Sequence, residues 1–448
     1  METPPLPDPT AEPDLISADE QADAPSDEPA DEQADEAADE RSEGIGDVLE
    51  LEPTLLVAGG EALARDADGR VVFVRGALPG ERVAARVTER RKEWARAEVT
   101  SVLSPSPDRI EPPCPSVALG CGGCDLQHAR PESQPALKAA MVIDALRRLG
   151  GIENPIVELG RSLPAVGFRT TVRAAVVEGK AGLRRHHAHD VVFPEHCMVT
   201  HPLLDELLVY GDFGEATEVT LRVGAATGER MAVLAPAADG AVLARDVLSV
   251  GTKALKAGRR AWIHDEVAGR RWRISARSFF QTRTDGAEAL VDAVARSGGD
   301  VFDGGRLVDA YGGVGLFTGS LMGGTLPEGV GRPASAVLVE RSPSSVADAR
   351  HNLDGLDVRV VKADLEKWNS SAADVVVADP ARAGLGRKAV ASLVSTGASV
   401  VVLVSCDPAS LGRDARLLGE SGFRLERSEL VDLFPQTHHV EVVSRFVR

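Results

Sequence analysis

Residues 307–315 read L-V-D-A-Y-G-G-V-G. An apolar run that ends near an acid and continues into closely spaced glycines predicts a strand, a tight turn and the start of a helix. Such glycines let a ligand approach the backbone closely, as nucleotide-like cofactors require. The next apolar run, A-V-L-V-E, ends at Glu340, where a carboxylate can accept hydrogen bonds from ribose hydroxyls. NAD fits this pattern nearly as well as other cofactors, and a solvated strand end would also explain Glu340.

Two further apolar runs follow the same plan, D-V-V-V-A-D (374–379) and S-V-V-V-L-V-S (399–405). Continuous valine and leucine runs are typical of central strands in a sheet that is covered on both faces. With the strand–turn–helix pattern around them, they predict a doubly wound, Rossmann-like α/β domain. Asp379 and Cys406 each follow one of these runs, at the carboxyl edge where such sheets bind ligands. A structural cysteine more often lies inside the apolar run, so Cys406 is a candidate for chemistry.

The last segment of the chain, F-P-Q-T-H-H-V-E (434–441), leads into an apolar terminal strand. Glu441 interrupts this apolar run, which makes an exposed position less plausible for it. We interpret His438 and His439 as residues that orient the loop rather than as catalytic groups.

Upstream, residues 47–106 alternate short apolar runs with turn signals such as Asp68-Gly69, which predicts a small β-barrel. Basic side chains beside an aromatic suit a nucleic-acid backbone and a stacked base. A solvated strand face is the alternative, because Glu89 and Glu93 dilute the positive charge. The basic and aromatic residues are Arg82, Arg86, Arg90, Arg91, Lys92, Trp94 and Arg96.

The pattern divides the chain into four parts: an acidic tail (1–46), the barrel (47–106), a central α+β domain (107–270) and the α/β domain (271–448). A proline-rich stretch at 104–115 favours the second boundary. Within the central domain, residues 132–150 predict a helix with Leu137, Met141, Ala145 and Leu149 on one face. We expect that this helix can pack on the α/β domain.

Four of the five cysteines form a pattern of their own in the central domain. In a cytosolic chain, three cysteines within C-P-S-V-A-L-G-C-G-G-C favour metal or cluster ligation over disulfides. Zinc usually shows paired C-x2-C motifs, whereas a single C-x2-C with more distant cysteines better fits an iron–sulfur cluster. Zinc is the alternative, and His128 or His196 could replace the last cysteine. The candidate ligands are Cys114, Cys121, Cys124 and Cys197.

The charge of the chain is concentrated at its beginning. The formal net charge is -18, and residues 1–44 hold 16 Asp and Glu against one basic residue, Arg41. The remainder is close to neutral, so the total does not exclude a nucleic-acid partner. Because the tail has almost no apolar side chains to bury, we predict that it is disordered. No apolar run approaches the roughly 20 residues that span a bilayer, so we expect a cytoplasmic protein without membrane partners.

These motifs together resemble those of the RNA 5-methyluridine methyltransferase family, in its iron–sulfur-containing branch. The resemblance covers residues 47–448. The barrel is similar to the family's TRAM domain, an OB-like RNA-binding module, and the α/β domain to its S-adenosylmethionine-dependent methyltransferase domain. The segment C-P-S-V-A-L-G-C-G-G-C-D-L-Q-H resembles the cluster motif, with Cys197 as the fourth ligand, and implies a [4Fe–4S] cluster. The implied partner is ribosomal or transfer RNA rather than DNA, bound by a monomer.

The resemblance also implies roles for single residues. Cys406 of S-C-D-P matches the nucleophile, Glu441 of T-H-H-V-E matches the base that removes a proton, and Asp379 of D-P-A-R lies near the methyl donor and the uracil. A nucleophilic thiolate needs a lowered pKa, which we expect Arg382 or Arg413 to provide. The residues assigned to S-adenosylmethionine are Gln281 of S-F-F-Q-T, Tyr311, Gly313, Gly315, Glu340, Asp364 and Asp379.

Several positions depart from the family pattern without removing a catalytic group. Six residues separate Cys114 from Cys121, one more than is usual in the family. The negative charge of Asp407 should oppose a thiolate at its neighbour. The substituted positions are Gly312 for Cys, Leu316 for a polar residue, Ala381 for the second Pro of D-P-P-R, and Asp407 for Asn.

Three functions are therefore open at this stage. The first is methylation of carbon 5 of a uridine in RNA through a covalent bond between Cys406 and the uracil. The second is a non-catalytic iron–sulfur protein that binds RNA or acts as a chaperone on the same fold. The third, an NAD-dependent oxidoreductase, leaves Cys406 and Glu441 without a role.

Overall fold

The computed structural model of the protein describes residues 44–186 and 188–448. The disorder expected of the acidic tail therefore falls almost entirely on residues outside these ranges. The described chain forms two compact units. One comprises the residues up to Leu55 together with Glu61–Pro107, and the other comprises Leu56–Gly60 and Asp108–Arg448.

The first unit is built on one six-stranded sheet. Its strands are β1 (Val48–Leu51), β2 (Leu55–Leu56), β3 (Ala62–Arg65), β4 (Val71–Arg75), β5 (Arg82–Arg90) and β6 (Trp94–Ser104). Their order in the sheet is β1-β5-β6-β4-β3-β2. Along β5, Val83 and Val87 are buried while Arg82 and Arg86 are exposed, as expected where successive side chains point to opposite faces.

The second unit begins with a mixed region of helices and strands. The elements are α1 (Pro115–Ala118), α2 (Gln134–Arg148), β7 (Val157–Leu159), β8 (Thr171–Val177), β9 (Lys180–Arg184), β10 (Val191–Val192), α3 (Pro202–Tyr210), β11 (Glu218–Val223), β12 (Arg230–Ala235), β13 (Val247–Gly251), α4 (Thr252–Lys256), β14 (Trp262–Val267) and β15 (Arg270–Ser275). A six-stranded sheet has the order β10-β9-β8-β11-β12-β13, and β14 pairs with β15 in a hairpin.

The rest of the second unit alternates strands and helices. The elements are α5 (Thr284–Gly298), β16 (Arg306–Ala310), α6 (Leu316–Gly323), β17 (Ser335–Glu340), α7 (Pro343–Asn352), β18 (Val358–Lys362), β19 (Val375–Ala378), α8 (Gly386–Val394), β20 (Val400–Ser405), α9 (Pro408–Glu420), β21 (Arg424–Leu430) and β22 (Val442–Val447), with 3-10 turns at Gly299–Phe302 and Leu365–Lys367. They build an eight-stranded sheet of order β18-β17-β16-β19-β20-β22-β21-β7. Strands β16 to β20 run parallel, and β22 is antiparallel to both of its neighbours.

Alternate residues of the central strands enter two different cores. Leu307 and Val377 pack in one apolar cluster with α5 and α6, while Val308 and Val376 pack in the other. A sheet covered on both faces explains why these strands read as uninterrupted valine and leucine runs. The predicted doubly wound α/β fold is confirmed.

The predicted central helix forms as α2 and packs against α9, but its buried face differs from the one predicted. Met141 and Ala145 are buried as expected, whereas Leu137 is only half-buried. Gln134 and Lys138 are fully buried instead. The apolar pattern misses these two residues because they bond polar groups 302 and 294 residues later in the chain. No helix in the described ranges is both long enough and apolar enough to cross a membrane.

Candidate active site

Strand register places Cys406 opposite Glu441. Ser405, the last residue of β20, pairs with Val442, the first residue of β22, and these strands are antiparallel. Cys406 directly follows β20, and Glu441 directly precedes β22. The sheet itself therefore brings the predicted nucleophile and the predicted base together, although 34 residues separate them in the sequence.

Strand register also aligns the predicted cofactor residues. Ala310 pairs with Val339 on one side and with Ala378 on the other, in parallel strands. The next residue of each strand, namely Tyr311, Glu340 and Asp379, therefore lies at the same level on the carboxyl edge of the sheet. This is the position where open α/β sheets bind ligands.

Three carboxyl groups interact at this edge, those of Asp309, Asp379 and Glu441. Burial raises the pKa of Asp309 to about 6, and burial together with the charge of Asp309 raises the pKa of Asp379 to about 7. Burial and the charge of Asp379 raise the pKa of Glu441 well above its ordinary value. Because each charge penalises the others, part of this set holds protons near neutral pH.

Asp309 also anchors the first turn of α6, which follows the glycine turn. Its Oδ2 accepts hydrogen bonds from the amide and hydroxyl of Thr318, at 3.2 and 2.6 Å. Its Oδ1 is buried and finds no partner in the described part of the chain. Buried acceptors normally have a partner, so this oxygen offers a place for a polar group of a ligand or for a water.

The thiol of Cys406 does not have the lowered pKa that we expected. Burial raises its pKa to about 12, with further contributions from the charges of Glu441, Asp379 and Asp407, and only Arg382 opposes them. Arg382 therefore acts in the predicted direction but is outweighed, and Arg413 is not among the main charges that act on the thiol. Protonation of Glu441 and Asp379 would remove their contributions.

Asp407, the substituted neighbour of Cys406, has a structural role. It is the N-cap of α9, and its Oδ1 accepts a hydrogen bond from the amide of Ser410 at 2.7 Å. Asn and Asp are about equally good N-caps. The departure from Asn therefore keeps the cap and adds a charge beside the thiol.

The cofactor turn is held by Glu340. Its two oxygens accept hydrogen bonds from the amides of Gly313 and Ser342, at 3.0 and 2.7 Å. Tyr311 adopts a left-handed conformation (φ 62°), as do Gly313 and Gly315. Such a φ is strained for tyrosine and marks a backbone that the surrounding structure determines.

The remaining predicted cofactor residues lie on neighbouring segments. Burial, followed by the charges of Glu366 and Asp364, raises the pKa of Tyr311 to about 12. The Asp364 side chain also caps the turn at Leu365–Lys367. Gln281 is buried in the loop between β15 and α5, while the nearby Phe279 is 63% exposed.

Sequence reasoning missed the residue that anchors the loop of Gln281. Asp348 of α7 is fully buried, and its Oδ2 accepts hydrogen bonds from the Ser278 hydroxyl at 2.6 Å and the Ser275 amide at 2.9 Å. Its Oδ1 accepts from Arg273 at 2.7 Å. Asp348 lies three residues after Ser345 and four before Asn352, both buried, and this helical spacing was the signal that could have identified an acid on the inner face of α7.

Two other departures from the family pattern are explained by packing. A Cβ at Gly312 would lie 2.4 Å from Cγ of Leu338, so the cysteine common in the family does not fit here. Leu316, the first residue of α6, is buried in the apolar core. Ala381 lies exposed in the turn after β19, where its carbonyl accepts a hydrogen bond from the Gly384 amide.

The four clustered thiols lie near one another in the second unit. None forms a disulfide, and the charges of Cys114, Cys124 and Cys197 each interact with that of a neighbouring thiol. Burial raises the pKa values of Cys121, Cys124 and Cys197, the second to about 12. Among the residues that the structure describes, no group of three or more His, Cys, Asp or Glu is arranged to hold a single metal ion.

Local structure accommodates the extra residue between Cys114 and Cys121. The spacer forms α1, and the amide of Cys121 donates to the carbonyl of Ser116. His196, a candidate alternative ligand, is hydrogen-bonded through Nδ1 to Asp205 at 2.5 Å. Asp205 also accepts a hydrogen bond from the amide of Cys197, at 2.8 Å.

In the first unit, the basic strand residues are partly paired with acids. Trp94 packs edge-on against Phe73, and Arg96 lies 5.3 Å from the Trp94 ring centroid. Arg96 also forms ion pairs with Glu61 and Glu89. The aromatic with a stacked cation is the arrangement predicted for RNA contact, but the acids neutralise part of its charge.

The fold and the carboxyl-edge site define an S-adenosylmethionine-dependent methyltransferase. The crystal structure of the Pyrococcus abyssi tRNA (uracil-54, C5)-methyltransferase, bound to S-adenosyl-L-homocysteine, shares the fold with a TM-score of 0.65. The similarity covers 89% of this chain and 99% of that chain at 23% sequence identity. Residues 47–100 match the TRAM domain family, and residues 348–445 match the tRNA (uracil-5-)-methyltransferase family.

Two relatives extend the similarity over most of the chain. An uncharacterized RNA methyltransferase of Streptomyces avermitilis is 36% identical over 431 residues, covering 89% of this chain and 98% of the relative. The 23S rRNA (uracil(1939)-C(5))-methyltransferase RlmD of Alkalilimnicola ehrlichii is 34% identical over 419 residues, covering 85% and 92%. The chain belongs to the RNA (uracil-5-)-methyltransferase family. The predicted family and the predicted TRAM domain are confirmed.

Proposed function

We propose that this protein transfers the methyl group of S-adenosylmethionine to carbon 5 of a uridine in ribosomal RNA, with Cys406 as nucleophile and Glu441 as base. The observation that carries the proposal is the pairing of β20 with β22, which sets these two residues face to face. Ribosomal RNA is favoured over transfer RNA because a relative at 34% identity is named as a 23S rRNA methyltransferase. The enzyme acts as a cytoplasmic monomer on RNA rather than DNA.

The need for a thiol follows from the chemistry of uracil. Carbon 5 is a poor nucleophile until the Cys406 thiolate adds to carbon 6, which makes carbon 5 electron-rich. S-adenosylmethionine supplies an electrophilic methyl group, held by Gln281, Tyr311, Gly313, Gly315, Glu340, Asp364 and Asp379. Glu441 then removes the remaining proton from carbon 5, and the bond between Cys406 and carbon 6 breaks by elimination.

The raised pKa of Cys406 defines what the site must do before the thiol reacts. The thiol has to give up its proton in a buried place where carboxylates oppose a negative charge. Asp379, whose pKa of about 7 lies near neutrality, can exchange a proton there. Arg382 is the charge that stabilises the thiolate that results.

The four clustered thiols would hold a [4Fe–4S] cluster. Four cysteines whose charges interact, with no disulfide among them, are the donor set that such clusters use. Cluster binding would also remove the cost of burying thiolates, since the iron ions supply positive charge. Bound there, such a cluster would stabilise the segment that Cys114, Cys121 and Cys124 share with Asp125.

Methylation assays with the full-length protein test the proposal. We expect 5-methyluridine in ribosomal RNA incubated with the wild type and none with Cys406→Ala. Glu441→Gln should accumulate a covalent protein–RNA adduct that survives denaturation, because elimination needs the base. Full methylation by Cys406→Ala would overturn the mechanism, and cofactor binding without turnover on any RNA would favour the non-catalytic alternative.

A further inference from the structure

Residues 432–439, which lie between β21 and β22, are hydrogen-bonded to polar side chains of two other segments. We name this segment the histidine loop, after His438 and His439. Gln436, inside this loop, has φ 71° and is 2% exposed. A left-handed residue that is not glycine costs roughly 1–2 kcal/mol, so strong contacts must hold it.

Helix α2 supplies the first set of hydrogen bonds to the histidine loop. The Gln134 amide exchanges two hydrogen bonds with Gln436, accepting from its backbone amide at 2.7 Å and donating to its Oε1 at 3.2 Å. Lys138 donates to Asp432 Oδ1 at 2.6 Å and to the carbonyl of Phe434 at 2.9 Å. Both side chains are fully buried, which explains their place on the inner face of α2.

The cysteine segment supplies the second set of hydrogen bonds to this loop. Asp125 accepts a hydrogen bond from the amide of His438 at 2.8 Å, and its other oxygen bonds Nδ1 of the same histidine. The amide of Leu126 donates to the carbonyl of Gln436 at 2.9 Å. Asp125 directly follows Cys124, so the thiol cluster and the histidine loop are joined through one residue.

His439 connects the histidine loop to Arg382, which acts on Cys406. Burial lowers the pKa of His439 to about 3, and the charges of His438, Arg382 and Lys138 act in the same direction, while the charge of Asp125 opposes them. Its ring is therefore neutral and can accept a hydrogen bond. Nη2 of Arg382 lies 3.4 Å from its Nε2.

Among the charges that act most strongly on Cys406, that of Arg382 favours a thiolate. It is exposed in the turn after β19, so it needs a partner to hold it beside the thiol. The charges that oppose it are those of Glu441, Asp379 and Asp407.

We propose that Asp125 and His439 are positioning residues for the nucleophile. Asp125 holds His438, His438 fixes the conformation of the histidine loop, and His439 on that loop orients Arg382 beside Cys406. The inference rests on the proposed role of Cys406. It gives the cysteine segment a specific task in the reaction, because a change at Cys124 reaches the thiol of Cys406 through Asp125.

The test is the pH dependence of alkylation at Cys406, which does not require turnover. Full-length protein, purified with its native cofactors, is treated with iodoacetamide, and the modified Cys406 peptide is quantified by mass spectrometry. Asp125→Ala and His439→Ala should slow alkylation roughly three- to tenfold at mildly alkaline pH and shift its profile to higher pH. Asp125→Asn and His439→Gln keep hydrogen-bonding groups at these positions and should restore most of the rate.

Asp205→Ala is the matched control. Like Asp125, Asp205 bonds a histidine and lies close to a cysteine of the cluster, but it contacts Cys197, His196 and Thr200 rather than the histidine loop. This variant should leave the Cys406 profile unchanged. Equal shifts in Asp125→Ala and Asp205→Ala, or no shift in His439→Ala, would overturn the proposal.

These outcomes separate the inference from the proposed function. If Cys406→Ala still methylates RNA, the proposed function fails. If Cys406→Ala is inactive while the alkylation profiles of Asp125→Ala and His439→Ala match the wild type, only the positioning role fails. Should Asp125→Ala not fold, His439→Ala with His439→Gln gives the same decision.

Discussion

Asp407 has two opposing effects: it caps a helix, and it disfavours a thiolate at the neighbouring Cys406. It caps α9 through Ser410, and its charge raises the pKa of Cys406. Asp407→Asn should keep the cap and lower the pKa of the thiol, so that Cys406 is alkylated faster at a given pH below its pKa. Asp407→Ala should lower the free energy of unfolding by about 0.5–2 kcal/mol, because the cap is lost.

Alkylation rates at Cys406 and denaturant unfolding measure these two effects separately. The pair Asp407→Asn and Asp407→Ala removes the same charge, and only the second removes the cap. If Asp407→Asn leaves the alkylation profile where it is in the wild type, the charge of Asp407 does not act on the thiol.

Asp379 makes stability depend on pH in a direction opposite to that of most acids. Its pKa is raised to about 7, so the folded state holds its proton more tightly than the unfolded chain does. Its contribution to stability is complete below the unfolded pKa of about 3.9 and is lost as the pH rises through about 7. Asp379→Asn cannot ionise, so it should exceed the wild type by on the order of 1–3 kcal/mol above that pH and match it in acid.

Asp374 provides a control of opposite sign for this experiment. Its hydrogen bonds to Arg306 lower its pKa to about 2, so its stabilisation is present above the unfolded pKa and is lost as the pH falls through about 2. Asp374→Asn should therefore be less stable than the wild type at neutral pH. The measurement is the free energy of unfolding of each variant as a function of pH. A constant difference between Asp379→Asn and the wild type at every pH would contradict the raised pKa of Asp379.

At the scale of single elements, the central strands were predictable and the buried polar contacts were not. Uninterrupted valine runs identify β19 and β20, and strand ends place Asp379 and Cys406 at the carboxyl edge. Gln134 and Lys138 escaped prediction because their burial depends on polar partners far away in the chain. The pKa of Cys406 escaped for the same reason, since it depends on how many carboxylates the fold gathers.

The turn between β16 and α6 illustrates how a substitution in one element is matched by another. Gly312 lies against Leu338 of β17, and any Cβ there would meet Cγ of the leucine at 2.4 Å. Gly312→Cys should cost about 1–3 kcal/mol of unfolding free energy. Leu338→Ala alone should cost about 2–5 kcal/mol, and the double variant less than the sum.

A double-mutant cycle from denaturant unfolding measures this coupling. Gly419→Cys in α9 is the matched control, because a Cβ at Gly419 meets no atom within 4 Å. It should change stability far less than Gly312→Cys does. Additive free energies in the cycle would show that Leu338 is not what requires glycine at 312.

At the scale of the whole molecule, segments that precede residue 160 complete the eight-stranded sheet and one of its cores. Helix α2 contributes Met141 and Val142 to one core of the eight-stranded sheet, and β7 pairs with β21 at its edge. The cysteine segment lies next to α2 in the chain and binds the histidine loop through Asp125. The four clustered thiols are therefore part of the same compact unit as the candidate active site. Loss of a group bound to them should lower the stability of this unit.

Cys197→Ser tests this dependence, since it removes one thiol of the clustered four. We expect loss of the brown colour of an iron–sulfur protein and a fall in the midpoint of thermal unfolding of roughly 5 °C or more, because a ligand that binds only the folded state stabilises it. Cys406→Ser is the matched control, because the fifth cysteine lies outside the cluster and should leave colour and midpoint unchanged. A colourless wild type that releases zinc on unfolding would show that the thiols bind zinc rather than an iron–sulfur cluster. Equal midpoints for Cys197→Ser and Cys406→Ser would show that the bound group does not stabilise the fold.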